Sequence, residues 1–162
     1  MLLSTVLLIS ASFAQTTVVS KAHGLLEFVE LDHGLADVVD GSVEKLRTSP
    51  TGSHGWLKDF EITKVTDSIH AILKANFGVV YMVKARDTVD INVVIEWIYP
   101  ETIINEKGGK FKSIKYITKR PTNIPSASSY SLDAPYELAK GNWEMNIYLE
   151  NKLMYSKTFF LY

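Results

Sequence analysis

The stretch VDINVVIEWIY, residues 89–99, decides the fold. Its odd-numbered positions are all apolar or aromatic, and Asp90, Asn92 and Glu96 lie between them. A period of two is the pattern of a β-strand that buries one face and exposes the other. The stretch therefore predicts a strand whose odd-numbered side chains, Trp97 among them, enter a hydrophobic core.

The C-terminal segment shows the same alternation. Apolar and polar side chains alternate over residues 143–150, and the turn pair Asn151-Lys152 leads into a β-rich run that ends at Tyr162. This pattern predicts a hairpin whose first strand buries Trp143. In the return strand Lys157 shares a face with four apolar residues. Either a bulge shifts the register, or Lys157 extends along the rim of the core.

Further segments have strand character and are separated by turn residues. The predicted strands span residues 24–31, 57–65, 69–75, 77–85 and 110–119. The predicted turns are Asp40-Gly41, Ser49-Pro50-Thr51-Gly52, Arg86-Asp87, Gly108-Gly109 and the stretch 121–129. Residues 68–76 also fit one or two helical turns with Ser68 as the N-cap. Seven or eight short strands with this punctuation predict an all-β fold, an antiparallel immunoglobulin-like β-sandwich.

The composition fits one compact domain. The chain has 162 residues, 46% of them hydrophobic, and 17 basic side chains nearly balance 18 acidic ones. A net charge of −1 gives no long-range field toward nucleic acid or an anionic membrane, so neither is an expected partner. The sequence has no cysteine, which excludes disulfides, a thiolate nucleophile and cysteine-ligated zinc.

The first 14 residues differ from the rest. They carry no charged side chain, contain the apolar run Val6–Ile9 and end in Ser12-Phe13-Ala14, the small-x-small pattern of a signal peptidase site. We predict a signal peptide over residues 1–14, a flexible N-terminal segment over 15–23 and a single sandwich domain over 24–162. The apolar run is shorter than the ~20 residues that a membrane anchor needs. The signal peptide predicts an exported protein in the bacterial periplasm or the extracellular space, and the absence of an Asn-x-Ser/Thr acceptor favours the periplasm over a eukaryotic secretory route.

Several short motifs resemble a bacterial family catalogued as a domain of unknown function, DUF3859. They are Thr66-Asp67-Ser68-Ile69-His70-Ala71, Phe77-Gly78, Pro100, Tyr130-Ser131-Leu132, Tyr136-Glu137-Leu138, Gly141-Asn142-Trp143, Lys152-Leu153 and Phe159. The resemblance covers roughly residues 24–161. It implies an immunoglobulin-like sandwich in an exported bacterial protein without an assigned activity.

Aromatic residues offer the clearest candidate binding surface. Trp56 follows the polar stretch Gly52-Ser53-His54-Gly55 and is predicted to be exposed on a loop. Tyr116, Tyr148 and Tyr155 are predicted to form an outer stripe on neighbouring strands, which suits sugar stacking or a protein interface. Cross-strand tyrosine pairs that only stabilise a sheet would give the same sequence pattern.

No constellation of reactive groups is recognisable in the sequence. The four histidines are His23, His33, His54 and His70. No two of them have the i, i+2 or i, i+4 spacing that brings imidazoles onto one metal, so neither a metal nor a cofactor is predicted. Carboxylate pairs such as Asp133 with Glu137 would suit acid–base catalysis on a glycosidic bond, although sandwich surfaces offer such pairs by chance.

These observations predict an exported, non-enzymatic module that binds another exported protein or a peptide. One alternative is a carbohydrate-binding module that recognises a glycan through exposed aromatics. A second is a hydrolase with loop carboxylates. The sequence leaves the oligomeric state open.

Overall fold

The computed structural model describes residues 16–162, which form ten strands and one short 3-10 helix. The strands are β1 (Thr16–Ser20), β2 (Gly24–Lys45), β3 (Ser53–Val65), β4 (Ser68–Ile69), β5 (Asn76–Lys84), β6 (Asp90–Ile104), β7 (Lys110–Pro121), β8 (Ser126–Ser131), β9 (Gly141–Leu149) and β10 (Lys152–Leu161). The helix is Pro135–Glu137. The predicted signal peptide, residues 1–14, lies outside the described residues. Across residues 16–162 there is no helix of the length and apolarity that crossing a membrane requires.

The strands form two five-stranded sheets. Sheet A has the order β1-β2-β5-β8, with β3 also paired to β2, and sheet B has the order β4-β10-β9-β6-β7. All the pairs are antiparallel except the short one between β4 and β10. The predicted all-β antiparallel sandwich is confirmed, with ten strands where the sequence predicted seven or eight.

Strand β6 has the buried face that its alternation predicts. The side chains at its odd positions from 91 to 99 are at most 5% exposed. They are Ile91, Val93, Ile95, Trp97 and Tyr99. The strand lies between β7 and β9 in sheet B, so this face contributes to the centre of the core.

Aromatic rings from both sheets fill the middle of the sandwich. Phe77 on β5 meets Trp97 edge to face at 5.5 Å and Trp143 at 6.0 Å, while Phe159 lies 5.2 Å from Phe77. Aromatic pairs of this kind contribute about 0.5–1.5 kcal/mol each beyond the burial of their area. Trp97 and Trp143 are both fully buried, as predicted, so ring packing joins the two sheets in a chain without cysteine.

The longest strand, β2, extends well past the segment predicted for it. Residues 27–35 pair with β5, and from Gly34 onward the strand pairs with β3. Residues 36–45 and 53–65 therefore form a two-stranded extension, the β2–β3 ribbon. Gly34 starts it with a φ of +142°, and a Cβ there would clash with the Lys64 carbonyl. The turn predicted at Asp40-Gly41 is wrong, because β2 continues through these residues with bulges between positions 39 and 43. The turn predicted at 49–52 is confirmed.

Three other segments differ from prediction. Thr16–Ser20 forms an ordered strand within the segment predicted to be flexible, because Val18 packs on the core and Ser20 is buried. In the stretch 69–75, predicted as a strand with a short helix over 68–76 as the alternative, β4 ends at Ile69 and residues 70–75 are irregular. Lys74 has a φ of 69°, which neither element tolerates. Strand β8 begins inside the stretch 121–129 that its serines marked as a turn.

Glycine at position 78 permits the close approach of β8 to β5. Gly78 pairs with Ser129, and a Cβ at position 78 would clash with the Ser128 carbonyl oxygen and lie 2.7 Å from Ser129 Cα. We expect Gly78→Ala to lower the free energy of unfolding by about 1–3 kcal/mol, because backbone must move to admit the methyl group.

The matched control is Gly55→Ala, also on a strand, where an added Cβ meets nothing within 4 Å. Its free energy of unfolding should stay within about 0.5 kcal/mol of wild type. Urea denaturation of the three proteins measures both values. Equal stabilities for the two variants would contradict the close approach of β8.

Candidate functional site

Cross-strand pairing in sheet B sorts the predicted tyrosines onto two faces. One row is Tyr116, Ile95, Ile147 and Tyr155. The neighbouring row is Ile117, Val94, Tyr148 and Leu153. Directly opposite residues share a face of the sheet. Tyr116 and Tyr155 therefore point inward with the buried isoleucines, and Tyr148 points outward.

A bulge in β10 produces this division at the C-terminal end. Leu153 pairs with Tyr148, and the next pair is Tyr155 with Ile147, so Met154 is an extra residue without a partner on β9. One extra residue exchanges the two faces of the strand beyond it. The outer stripe predicted for Tyr116, Tyr148 and Tyr155 is therefore wrong. The bulge predicted as one explanation for β10 is confirmed.

The outward row makes an apolar surface that crosses four strands of sheet B. Ile117 is 67% exposed and Leu153 is 46% exposed, with Val94 and Tyr148 half-buried between them. Phe160, 50% exposed, lies on the same side of β10. We call this surface, centred on Val94 and Tyr148, the outer face of sheet B.

Tyr148 is held rigidly within this surface. Its hydroxyl donates a hydrogen bond of 2.6 Å to Glu96 Oε2, and Lys115 Nζ lies 4.3 Å from the centre of its ring. Lys115 also approaches Glu96 Oε1 at 3.6 Å. The hydrogen bond to Glu96, followed by burial, raises the pKa of Tyr148 to about 12. The contacts with Glu96 and Lys115 hold the ring in one orientation.

Trp56 lies on strand β3, not on the predicted loop, and is half-buried. His54 contacts its ring edge to face at 4.9 Å, and the Arg120 guanidinium is 5.9 Å from the ring centre. His54 also lies 4.1 Å from the Tyr116 ring, so one imidazole links two of the predicted binding residues. Burial, followed by the nearby Arg120 charge, lowers the pKa of His54. This cluster fastens the β2–β3 ribbon to β7 and borders a cleft of about 310 Å³ beside Arg120.

Tyr155 belongs to the packing between the sheets. Its ring stacks on Phe28 of β2 at 5.0 Å. Burial, followed by the neighbouring Glu30 carboxylate, raises the pKa of its hydroxyl. The predicted residues thus separate into Tyr155 in the interior, Trp56 on the β2–β3 ribbon, Tyr116 on β7 against His54 of that ribbon, and Tyr148 on the outer face of sheet B.

A charged cluster near Tyr155 was not predicted from the sequence. His33 Nδ1 lies 2.5 Å from Glu30 Oε1, its Nε2 lies 3.1 Å from Asp67 Oδ1, and Lys157 Nζ lies 2.7 Å from the same Asp67 oxygen. These contacts connect β2 with β10 through Asp67 on one side of the sandwich. The signal in the sequence was Lys157 on an apolar face, a position that needs an acidic partner when half-buried. Within residues 16–162, no group of three or more His, Asp or Glu side chains has a geometry that could hold a metal ion.

The carboxylate pair Asp133 and Glu137 has structural contacts. Glu137 is 1% exposed and accepts hydrogen bonds from the Tyr130 hydroxyl at 2.7 Å and from the amides of Asp133 and Ala134 at 3.0 and 2.9 Å. Asp133 pairs with Lys74 at 2.7 Å. Burial raises the pKa of the Glu137 carboxyl, although all three donated bonds oppose that shift. The arrangement anchors the corner that precedes β9.

Glu137 should make stability depend on pH in a specific direction. A carboxyl whose pKa is higher in the folded state binds protons more readily there, so the unfolding free energy falls as pH rises from the unfolded-state pKa through the folded-state pKa. Glu137→Gln does not titrate. We therefore expect the stability of wild type relative to Glu137→Gln to decrease between about pH 4 and about pH 7, the range above an ordinary Glu pKa.

Urea unfolding of both proteins across this pH range measures the difference, and all other carboxyl groups cancel because the two chains share them. A relative stability that rises with pH would mean that the three donors outweigh burial. That result would contradict the raised pKa of Glu137.

Comparison with solved structures supports the architecture. An immunoglobulin-like protein from Pseudomonas aeruginosa aligns with a TM-score of 0.60 at 15% identity, over 94% of this chain and 100% of that chain. A Pseudomonas fluorescens alkylpurine DNA glycosylase bound to abasic-site DNA aligns with a TM-score of 0.35 at 10% identity, over 59% of this chain and 27% of that chain, too weak a likeness for any argument. The first alignment confirms the predicted immunoglobulin-like fold.

Comparison of sequences identifies the family. No curated protein matches the sequence. Residues 47–161 match the model of a domain of unknown function, DUF3859, and these residues include every motif that carried the resemblance. The chain belongs to the DUF3859 family, and its domain is an immunoglobulin-like β-sandwich.

Proposed function

We propose that the chain is an exported, non-enzymatic module that binds a protein partner through the outer face of sheet B. The observation that carries the proposal is the apolar row across four strands, which ends in the exposed side chains of Ile117 and Leu153. Contiguous exposed apolar surface with a polar surround is typical of protein interaction sites. Asn92, Glu96 and Lys115 supply polar groups beside the row.

A protein fits this surface better than a glycan does. Sugar platforms depend on exposed aromatic rings, and the apolar row contains one ring, that of the half-buried Tyr148, while the exposed ring of Phe160 lies farther along β10. The neighbours of Tyr148 in the row, Val94, Ile117 and Leu153, are aliphatic. Aliphatic side chains gain free energy by excluding water against another apolar surface, whereas a sugar brings hydroxyl groups that need hydrogen bonds.

A binding role also fits the contacts of the candidate acid–base groups. Glu137 is committed to three hydrogen bonds at a buried corner, and Asp133 forms an ion pair on the surface. A general acid or base needs a free approach to its substrate. The hydrolase alternative is therefore less well supported than a binding function.

The proposed export rests on the uncharged apolar segment that ends at Ala14. We expect the mature protein to begin at Gln15 and to occur in the exported fraction of a bacterial host. N-terminal sequencing and intact mass of the expressed full chain check this expectation. A cytoplasmic product that retains Met1–Ala14 would contradict it.

The docking surface is tested by placing charges at both ends of the apolar row. In the double variant Ile117→Asp and Leu153→Asp, each carboxylate would have to be desolvated in the interface, so we expect affinity for a captured exported protein to fall at least about tenfold. Both positions are exposed, and thermal unfolding should therefore remain close to that of wild type.

The control is Val43→Asp, an apolar-to-acidic change of the same kind at a residue that is 68% exposed on the β2–β3 ribbon. A partner bound by wild type and by Val43→Asp, but not by the double variant, would support the proposal. Equal binding by all three proteins in a pull-down followed by affinity measurement would refute it.

A further inference from the structure

Strand β7 ends sheet B and has a free edge. It is 12 residues long and pairs with β6, and no second strand pairs with it among residues 16–162. Residues 110–120 contain five cationic side chains and no acidic one. They are Lys110, Lys112, Lys115, Lys119 and Arg120. An unpaired edge presents backbone N–H and C=O groups that can pair with another chain.

Charge distinguishes this edge from the other long one. Strand β3, 13 residues long, pairs with β2 alone and carries both signs, with Lys58 and Asp59 adjacent and Glu61 before Lys64. The remaining strands at the ends of sheet A, β1 and β8, are 5 and 6 residues long. The edge of β7 therefore carries charge of one sign only, whereas the edge of β3 does not.

Three residues of β7 alternate on the outer face of sheet B. Lys115, Ile117 and Lys119 are exposed, and their cross-strand neighbours on β6 are Glu96, Val94 and Asn92 respectively. A strand added at the free edge would place its own alternate residues opposite the same three side chains.

We infer that the free edge of β7 accepts an extended acidic segment of the partner protein, with acidic residues opposite Lys115 and Lys119 and an apolar residue opposite Ile117. This inference rests on the proposed function, because the apolar residue would lengthen the row that forms the outer face of sheet B. Backbone hydrogen bonds supply affinity in strand addition, and the alternating side chains supply specificity.

The same lysines disfavour pairing between two copies of the chain. An antiparallel pair of β7 edges would bring two strongly basic strands together, and like charges directly opposite each other destabilise a sheet. Lysine on an edge strand is a known defence against such association. With an acidic strand, the electrostatic interaction between opposite side chains becomes attractive. The same lysines therefore disfavour pairing between two copies and favour pairing with an acidic strand.

A symmetric peptide tests the edge directly. The probe is a capped nonapeptide, Thr-Thr-Glu-Thr-Val-Thr-Glu-Thr-Thr, which reads the same in both directions and so presents the pattern to a parallel or antiparallel edge. One control replaces both glutamates with lysine, and another replaces the two threonines beside valine with proline, which removes backbone donors but keeps the charges. Fluorescence anisotropy with the full mature protein should show that the probe binds and that neither control peptide does. Its affinity should weaken between about 0.02 M and about 0.5 M salt.

Charge reversal at one position then locates the site. Lys119→Glu lies opposite the neutral Asn92 and should weaken probe binding roughly three- to tenfold. Two probes each carry lysine at one of the glutamate positions, and the one that places lysine opposite position 119 should recover most of that loss. Lys64→Glu on the β3 edge is the matched control and should leave the affinity unchanged. Binding of the proline peptide as tightly as the probe, or an equal loss in Lys64→Glu, would overturn the inference.

The captured protein partner separates this inference from the proposed function. A partner that is lost with Ile117→Asp and Leu153→Asp, but binds Lys119→Glu like wild type, would overturn the acidic strand and leave the docking face intact. A partner and a probe that both depend on Lys119 support the edge. If that partner binds the double variant Ile117→Asp and Leu153→Asp as tightly as it binds wild type, the outer face of sheet B is refuted as the docking surface.

Discussion

The alternation of side chains along β6 is the constraint on which the rest of the structure depends. Its odd positions are buried. Val94 and Ile95 pair directly with residues of β7 and β9, so the register of β6 determines which side chains of these two strands point inward. A slip of one residue would exchange every inward and outward side chain of a strand. The large buried rings make such a slip costly, because Trp97 would leave the aromatic centre and Glu96 would enter it. The register is thus fixed by the core, and the outward surface is whatever that register leaves exposed.

The period of two predicted those features of the fold that depend on the sequence of a single strand. The buried faces of β6 and β9, the two core tryptophans and the sandwich class all followed from a period of two. Periodicity could not predict which face a side chain joins beyond a bulge, as Tyr155 shows. Met154 has no partner on β9, and this depends on how β9 and β10 pair, not on the sequence of β10 alone. The serines of β8 misled for a related reason. They are typical turn residues, but here they pair with β5 as a strand, and it is the missing side chain of Gly78 that lets the β8 backbone approach.

The family motifs contribute to architecture more than to any surface. Tyr130 and Glu137 form a buried hydrogen bond, Trp143 Nε1 donates to the Ala139 carbonyl at 2.8 Å, and Gly78 admits β8. A sequence resemblance carried by such residues identifies the fold, since each solves a packing or hydrogen-bonding problem of the corner or the core. In the apolar row on the outer face of sheet B, Leu153 belongs to those motifs, whereas Ile117, Val94 and Tyr148 do not. This difference explains why a resemblance could name the family while the candidate surface emerged only from the pairing of strands.

The bulge at Met154 connects the interior to the proposed docking surface. It allows Tyr155 to stack on Phe28 inside the sandwich, and it leaves Leu153 opposite Tyr148 on the outside. If Met154 were paired regularly instead of bulged, the alternation that exposes Leu153 would also expose Tyr155 and bury Ser156. The core would then lose an aromatic side chain, a loss of about 3 kcal/mol or more in typical large-to-small changes. The apolar row therefore reaches β10 because the core requires a bulge there, and the surface that would bind a partner follows from the same register that stabilises the fold.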